Sequence, residues 1–157
     1  MTFRSTYLGK KLQSGATHIA LGEWGEHAAV RYLEDHAGYR IVATGFRVPL
    51  GRALSGHRIS GEIDIIAYDE GCLVFVEVKT RTSTDVAAPE RAVDLRKQRQ
   101  IARAAGRYRR MLGVADEPYR YDVVTVVVSE GDLKVELLKS YFDDRIFSRA
   151  RYFKLWV

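Results

Sequence analysis

Cysteine is almost absent from this 157-residue chain, since Cys72 is the only one. An intrachain disulfide and a cysteine-rich zinc site are therefore both excluded. No glycine-rich phosphate loop of the GxxxxGK type and no GxSxG nucleophile elbow is present. The start of the chain lacks the apolar core of a signal peptide, and no apolar run is long enough to span a membrane. We therefore expect a cytoplasmic protein that has no membrane partner.

The composition is that of a globular domain with a basic bias. Apolar residues make up 46% of the chain and charged residues 29%, and the length suits a single domain. The net charge of +5 fits a polyanionic partner such as nucleic acid. We expect residues 1–16, which are polar and basic, to form a flexible tail, and residues 17–157 to form one domain.

The hydrophobic periodicity predicts an α/β fold in which a mixed β-sheet is flanked by helices, in the order α-β-β-β-α-β-β. A helix over 89–112 between two apolar strands predicts a crossover between parallel strands. The segment after residue 140 suggests a short helix and an extended end. The predicted segments are a helix at 17–37, a strand at 39–46, a loop at 47–60, a hairpin at 61–81, a helix at 89–112, a central strand at 121–128 and an edge strand at 133–139.

Helical spacing predicts the buried faces of both helices. Gly22 and Gly25 weaken the first helix unless another element packs closely against its backbone there. Asp122, within the central strand, is expected to have a structural role. The predicted apolar stripes comprise Leu21, Trp24, Ala28 and Tyr32 in the first helix, and Val93, Ile101, Ala104, Ala105, Tyr108 and Leu112 in the second.

Two stretches, GEIDIIAYD at 61–69 and LVFVEVKTR at 73–81, carry most of the chemical information. If Tyr68 pairs with Leu73 across the turn between them, Asp64 faces Glu77 and Glu62 faces Lys79. Directly opposed side chains have their Cβ atoms about 4.5–5.5 Å apart. The register therefore predicts a close pair of carboxylates with a lysine beside it.

Two carboxylates held together repel each other, and one pKa should rise unless a cation lies between them. Mg²⁺ or Mn²⁺ suits Asp64 and Glu77, because these ions prefer oxygen ligands and are often held by one or two carboxylates. Lys79 could orient a metal-bound water or neutralise a phosphate. The alternative is a simple cross-strand ion pair between Glu62 and Lys79, with both acids solvated beside it. Metal-dependent cleavage of nucleic acid is the leading hypothesis.

The helix at 89–112 is rich in arginine and has few acidic partners. Arginine forks suit phosphate oxygens, so the exposed face of this helix could bind a nucleic-acid backbone without reading bases. The alternative is an ordinary solvated helix face. The predicted nucleic-acid contacts are Arg81, Arg96, Lys97, Arg99 and Arg103.

The chain contains five distinctive segments in this order: GEWGEHAAVRYL at 22–33, GEIDIIA at 61–67, VFVEVKTR at 74–81, AVDLRKQRQI at 92–101 and YDVVTV at 121–126. Together they resemble the YraN-like uncharacterised protein family (family 0102) of the PD-(D/E)XK, or restriction-endonuclease-like, nuclease superfamily. The resemblance runs from about Gly22 to Val127 and implies a restriction-endonuclease-like core. Ile63 stands where that superfamily has proline, and the loop at 47–60 is longer than expected.

The resemblance implies roles for individual residues. Asp64 is similar to the acidic residue of the first motif, and Glu77 with Lys79 to the acidic-x-lysine half. It also implies that the Val78 backbone carbonyl joins the metal shell and that Glu26 on the first helix supports the ion. Lys97 matches a helix position that borders the active site in related nucleases. The implied substrate is DNA, branched or structured by similarity to junction resolvases, and a homodimer is left open.

Three functional hypotheses follow from the sequence. The first is a nuclease that acts on DNA with Mg²⁺ or Mn²⁺. The second is a nucleic-acid-binding module that retains the nuclease fold but cuts nothing. The third is a structural partner protein whose aromatic tail forms an interface.

Overall fold

The computed structural model describes residues 2–4, 18–82, 92–129, 132–145 and 147. These residues form six strands and two helices, and the predicted α/β class and element order are confirmed, with one strand added at the start. The elements are β1 (Thr2–Arg4), α1 (His18–Asp35), β2 (Arg40–Arg52), β3 (Arg58–Asp69), β4 (Cys72–Thr82), α2 (Leu95–Met111), β5 (Tyr119–Ser129) and β6 (Asp132–Phe142).

The strands form one mixed sheet in the order β1-β6-β5-β4-β3-β2. β4 and β5 pair in parallel and are joined through α2, as predicted, whereas the other neighbours are antiparallel. Residues 73–78 of β4 and 121–126 of β5 are all buried. Burial on both faces explains why these two strands are continuous apolar runs.

Alternate residues of β4 separate the two faces of the sheet. Val74 and Val76 pack in one core with Ala29 and Leu33 of α1. Phe75 belongs to a second core, which also contains Ile101, Ala104, Ala105 and Tyr108 of α2. The sheet therefore lies between α1 and α2, and its middle strands are shielded from water on both sides.

The helix stripes agree with the prediction except at the end of α2. All four predicted stripe residues of α1 pack against the core. In α2, Leu112 is 58% exposed rather than buried, because the helix has already ended at Met111. The helix begins later than predicted: Asp94 is its N-cap and accepts a 2.8 Å hydrogen bond from the Lys97 backbone N–H. Residues 83–91, where we placed the predicted start, lie outside the described residues.

The predicted loop at 47–60 is wrong, because β2 and β3 extend through most of it as a long antiparallel hairpin. Val48 and Leu50 are buried in the same core as α2. Pro49 is compatible with this strand because β2 is an edge of the sheet. The proline and glycines of this segment suggested a loop, whereas pairing with β3 and burial of Val48 and Leu50 hold it as a strand.

The start of the chain also differs from the prediction. Residues 2–4 were expected to lie in a flexible tail but form β1, which pairs with Asp132–Lys134 of β6. β6 is therefore not an edge strand along its whole length. The rest of the tail, and residues 148–157 at the other end, lie outside the described residues. No helix in the described part of the chain is long and apolar enough to cross a membrane.

Asp122 has the structural surroundings that the sequence suggested. It is 1% exposed and accepts hydrogen bonds from the Tyr39 hydroxyl at 2.8 Å and the Ser140 backbone N–H at 2.8 Å. Arg120 donates to Asp122 at 3.0 Å and also forms an ion pair with Asp69. These bonds tie together the strands at the start of β5.

Candidate metal and nucleic-acid site

The predicted register of the β3–β4 hairpin is confirmed, because Tyr68 pairs with Leu73. The turn at Glu70 and Gly71 has positive φ at both positions, 49° and 88°, which suits a two-residue hairpin turn. Strand pairing continues as far as Ile65 and Val76. Just beyond that pair, the Val78 N–H donates a 2.7 Å hydrogen bond to Oδ2 of the Asp64 side chain. The two acids that we expected to face each other therefore lie where the hairpin strands stop pairing.

Both acids are buried. Asp64 is 9% exposed and Glu77 is 3% exposed. Burial and the nearby charge of Glu77 raise the pKa of Asp64 to about 7, although the Val78 N–H and Lys97 act in the opposite direction. This is the direction expected of a carboxylate that is buried close to a second carboxylate. The alternative of solvated acids beside a simple ion pair is therefore wrong.

Two lysines converge on one oxygen of Glu77. Lys79 Nζ lies 2.8 Å from Glu77 Oε1, and Lys97 Nζ lies 3.2 Å from the same atom. Lys79 comes from β4, two residues along the same face as Glu77, whereas Lys97 comes from the first turn of α2. Each lysine keeps about a third of its side chain exposed, at 33% and 30% respectively. The site therefore combines buried negative charge with cations that solvent, or a substrate, can reach.

The second oxygen of Glu77 lacks a partner. Glu77 Oε2 is buried and accepts no hydrogen bond from the described residues. A buried unpaired carboxylate oxygen is costly, and a cation beside it would remove that cost. Among the described residues no group of three His, Cys, Asp or Glu side chains is placed to hold a metal ion. Two carboxylates, with water, backbone or substrate oxygens completing the shell, nevertheless fit the binding habit of Mg²⁺.

Glu26 reaches this region because α1 lies very close to β4. A Cβ atom built on Gly25 would lie 1.7 Å from Thr80 Oγ1, so only glycine permits this approach. The predicted close packing is thus found at Gly25, whereas nothing lies within 4 Å of such an atom at Gly22. Burial raises the pKa of Glu26, and the charges of Glu62 and Glu77 add to this effect. Glu26 therefore interacts electrostatically with the acidic pair. Its direct role at a metal ion stays a prediction.

The ion pair between Glu62 and Lys79, which was the alternative interpretation of the sequence, is not formed, because Glu62 pairs elsewhere. Glu62 lies opposite Arg47 of β2, and the two side chains form an ion pair at 2.8 Å. The alternation in β2 contained the signal for this pair, but it was missed because the segment at 47–60 was interpreted as a loop. Lys79 is consequently available to Glu77.

The predicted nucleic-acid contacts have different surroundings. Lys97 lies in the acidic cluster, as its match to an active-site helix position suggested. Arg103 donates a 2.6 Å hydrogen bond from Nη2 to the Leu50 carbonyl and so holds β2 against α2. Arg96 and Arg99 are exposed on α2, and Arg81 is partly buried near the end of β4. Of the predicted contacts, Lys97 thus lies in the site, whereas Arg103 forms a hydrogen bond that stabilises the fold.

The fold and this cluster define the class of protein. It is an α/β protein with a buried pair of acidic residues and two lysines at the point where pairing between β3 and β4 ends. A family model matches residues 25–126, and the chain belongs to that family, the uncharacterised protein family UPF0102. The match covers most of the chain and agrees with the resemblance seen in the sequence.

Relatives from several bacteria support this membership. A UPF0102 protein of Bacteroides thetaiotaomicron is 42% identical over 132 residues, which cover 84% of this chain and 99% of the relative. A UPF0102 protein of Symbiobacterium thermophilum is 43% identical over 123 residues, covering 78% and 95% of the two chains. The crystal structure of SSO0001 is similar at a TM-score of 0.41 and 16% identity, covering 88% of this chain and 60% of that one.

Proposed function

We propose that this protein is a metal-dependent nuclease that hydrolyses phosphodiester bonds in DNA. The observation that carries the proposal is the buried Oε2 of Glu77, which accepts no hydrogen bond from the described residues and lies beside the buried Asp64. In this proposal Asp64 and Glu77 hold Mg²⁺ or Mn²⁺. The Val78 carbonyl as a further ligand and Glu26 as a support are taken from the family resemblance.

The ion, when bound, would lower the pKa of a coordinated water and polarise the phosphodiester. The protein's own groups supply the rest. The Val78 N–H fixes the orientation of the Asp64 carboxylate through its 2.7 Å bond. Lys79 and Lys97 balance the charge of Glu77, and the exposed part of each is available to a phosphate oxygen. Charges placed before the reaction stabilise developing negative charge without reorganisation.

The basic surface supports a nucleic-acid substrate. Exposed Arg96 and Arg99 lie on the same helix as Lys97, and no acidic residue lies between Leu95 and Met111. Contacts of this kind recognise the backbone rather than a base sequence. The preference for DNA, and for branched DNA in particular, rests on the resemblance to junction resolvases.

The test is cleavage of labelled single-stranded, duplex, flap and four-way-junction DNA with Mg²⁺ or Mn²⁺. Wild type is compared with Glu77→Gln, which keeps the shape of the side chain but removes its charge, and with Glu34→Gln as a control. Glu34 is an exposed residue of α1. We expect metal-dependent cutting that Glu77→Gln abolishes and Glu34→Gln leaves unchanged. Equal cutting by Glu77→Gln, or failure of wild type to bind either ion at millimolar concentration, would contradict the proposal.

A second candidate function is binding of nucleic acid without cleavage, and the arginine-rich face of α2 favours it equally. It predicts salt-sensitive DNA binding that survives Asp64→Ala, with no cleavage of any of the four substrates. The third hypothesis, an aromatic tail that forms an interface, concerns residues that lie mostly outside the described part of the chain.

A further inference from the structure

The hairpin of β2 and β3 separates from β4, the one strand that flanks it in the sheet. β3 pairs with β4 only from Ile65 to Asp69, whereas its pairing with β2 continues to Arg52 and Arg58. Residues 47–62, here called the β2–β3 ribbon, thus form a two-stranded arm that runs from the Arg47–Glu62 pair to the Arg52–Arg58 pair and starts beside the acidic pair. None of the functional roles assigned so far uses this arm.

The ribbon carries positive charge with nothing to balance most of it. Residues 43–61 contain three arginines and a histidine but no acidic residue. Arg47 is paired with Glu62, which lies just outside this range. Arg52 and Arg58 are directly opposed in the strand register, and both are exposed. Directly opposed like charges destabilise a strand pair, so an anion between them would relieve a cost that the free protein carries.

The immediate contacts of these two arginines leave them available. Arg52 donates a 3.0 Å hydrogen bond from Nη1 to the Gly56 carbonyl, which positions it without neutralising its charge. Within the described part of the chain, Arg58 forms no ion pair with an acidic side chain. Two guanidinium groups on adjacent strands suit the oxygens of one or two phosphates.

The arm is also held rigidly. Arg103 of α2 bonds to the Leu50 carbonyl, and Leu50 is buried. A Cβ atom on Gly61 would lie 2.8 Å from Ala104 Cβ, so α2 packs directly against the base of the arm. The tip is closed by a 2.8 Å bond from the Ala53 N–H to the His57 carbonyl. An arm fixed in this way loses little conformational entropy when it binds.

The position of the arm relative to the site indicates how it could act. Arg58 and Asp64 lie on the same strand, six residues apart, which corresponds to about 20 Å at roughly 3.3 Å per residue. That distance spans about six base pairs of a duplex, at roughly 3.4 Å per base pair.

We infer that the β2–β3 ribbon is a second nucleic-acid contact, in which Arg52 and Arg58 bind backbone phosphates about six base pairs from the bond at the acidic site. The inference rests on the proposed function in taking nucleic acid as the partner. It assigns to the ribbon the placement of the substrate rather than chemistry.

The experiment measures binding of a labelled 30-base-pair duplex without divalent ions, at several salt concentrations. The variant Arg52→Gln/Arg58→Gln is compared with Arg31→Gln/Lys134→Gln, which also removes two exposed positive charges but from α1 and β6. Each lost phosphate contact should reduce the slope of log K against the log of the salt concentration by about 0.9. The slope of the ribbon variant should therefore be smaller than that of wild type by about 2. Its affinity at 0.1 M salt should fall on the order of tenfold or more, whereas the control should change little. Arg52→Lys/Arg58→Lys should retain most of the slope.

The possible outcomes separate this inference from the nuclease proposal. Equal slopes for the ribbon variant and wild type would overturn the ribbon contact even if both proteins cut DNA. If the ribbon variant had a smaller salt slope than wild type and wild type cut no DNA, the ribbon contact would be supported and the nuclease proposal would be wrong. Leu54, at the tip, is fully exposed. If Leu54→Ser abolished association with a protein partner while the arginine variant bound DNA normally, the ribbon would be a protein contact, and our inference would be wrong.

Discussion

The buried acidic pair predicts that Asp64→Asn stabilises the metal-free protein. The pKa of Asp64 is raised from 3.8 to about 7, by burial first and by Glu77 second. One pKa unit corresponds to about 1.4 kcal/mol, so the ionised carboxylate costs up to about 4 kcal/mol at pH 8. Asparagine removes the charge and keeps an oxygen that can accept the Val78 N–H. We expect an increase in the free energy of unfolding of about 2–4 kcal/mol at pH 8 in EDTA.

The pH dependence follows from the direction of the shift. An acid whose pKa is raised on folding destabilises the folded state fully above the folded pKa, and this cost disappears as the pH falls towards the unfolded pKa. The advantage of Asp64→Asn should therefore be complete above about pH 7 and vanish near pH 4. Urea unfolding curves at pH 8, 6 and 4 measure it directly.

Asp69→Asn is the matched control, because Asp69 lies in the same strand as Asp64 but its pKa is lowered and not raised. Hydrogen bonds and charges from Lys139 and Arg120 lower the pKa of Asp69. That substitution should destabilise the protein at pH 8, and the loss should fade as acid protonates the wild-type carboxylate. If Asp64→Asn is no more stable than wild type at pH 8, or keeps its advantage at pH 4, then the electrostatic reasoning about the site is wrong. Added Mg²⁺ should stabilise wild type but not Asp64→Asn.

Two further predictions concern single contacts. Lys97→Met should bind Mn²⁺ several-fold more tightly than wild type in a calorimetric titration, because it removes a cation 3.2 Å from Oε1 of the proposed ligand Glu77. The same variant should cut DNA more slowly, whereas Lys97→Arg should resemble wild type. Weaker Mn²⁺ binding by Lys97→Met would contradict the role assigned to Lys97. Gly25→Ala should lower the free energy of unfolding by about 1–3 kcal/mol, because its Cβ would overlap Thr80. Gly22→Ala should be neutral or raise the free energy of unfolding by up to about 1 kcal/mol. Equal effects of the two substitutions would show that α1 does not pack on β4 through Gly25.

Strong local patterns allowed much of the fold to be predicted from the sequence. The β3–β4 register follows from a two-residue turn and from alternation, and β5 follows from a continuous apolar run. The β2–β3 ribbon was missed because Pro49 and several glycines obscured the alternation of Val48 and Leu50. Pairing with β3 and packing against α2 together make this segment a strand.

The site was predictable as far as its residues come from one hairpin. Asp64, Glu77 and Lys79 follow from local register, whereas the proximity of Lys97 depends on how α2 crosses the sheet. The pairing of Glu62 with Arg47 likewise depends on a strand that local signals concealed. Tertiary contacts between elements separated along the chain are the part that spacing and composition do not determine.

The energetics of the site bear on the choice between a nuclease and a module that only binds. A binding surface needs exposed cations, and α2 and the ribbon supply them without any contribution from Asp64 or Glu77. A module that only binds gains nothing from a buried carboxylate with a raised pKa or from a buried carboxylate oxygen that has no hydrogen-bond donor among the described residues. Both features oppose folding and become favourable only when a cation lies against them. Unfavourable local features of this kind are expected at functional sites. The acidic pair therefore favours the metal-dependent nuclease, whereas the basic surface alone is equally compatible with either function.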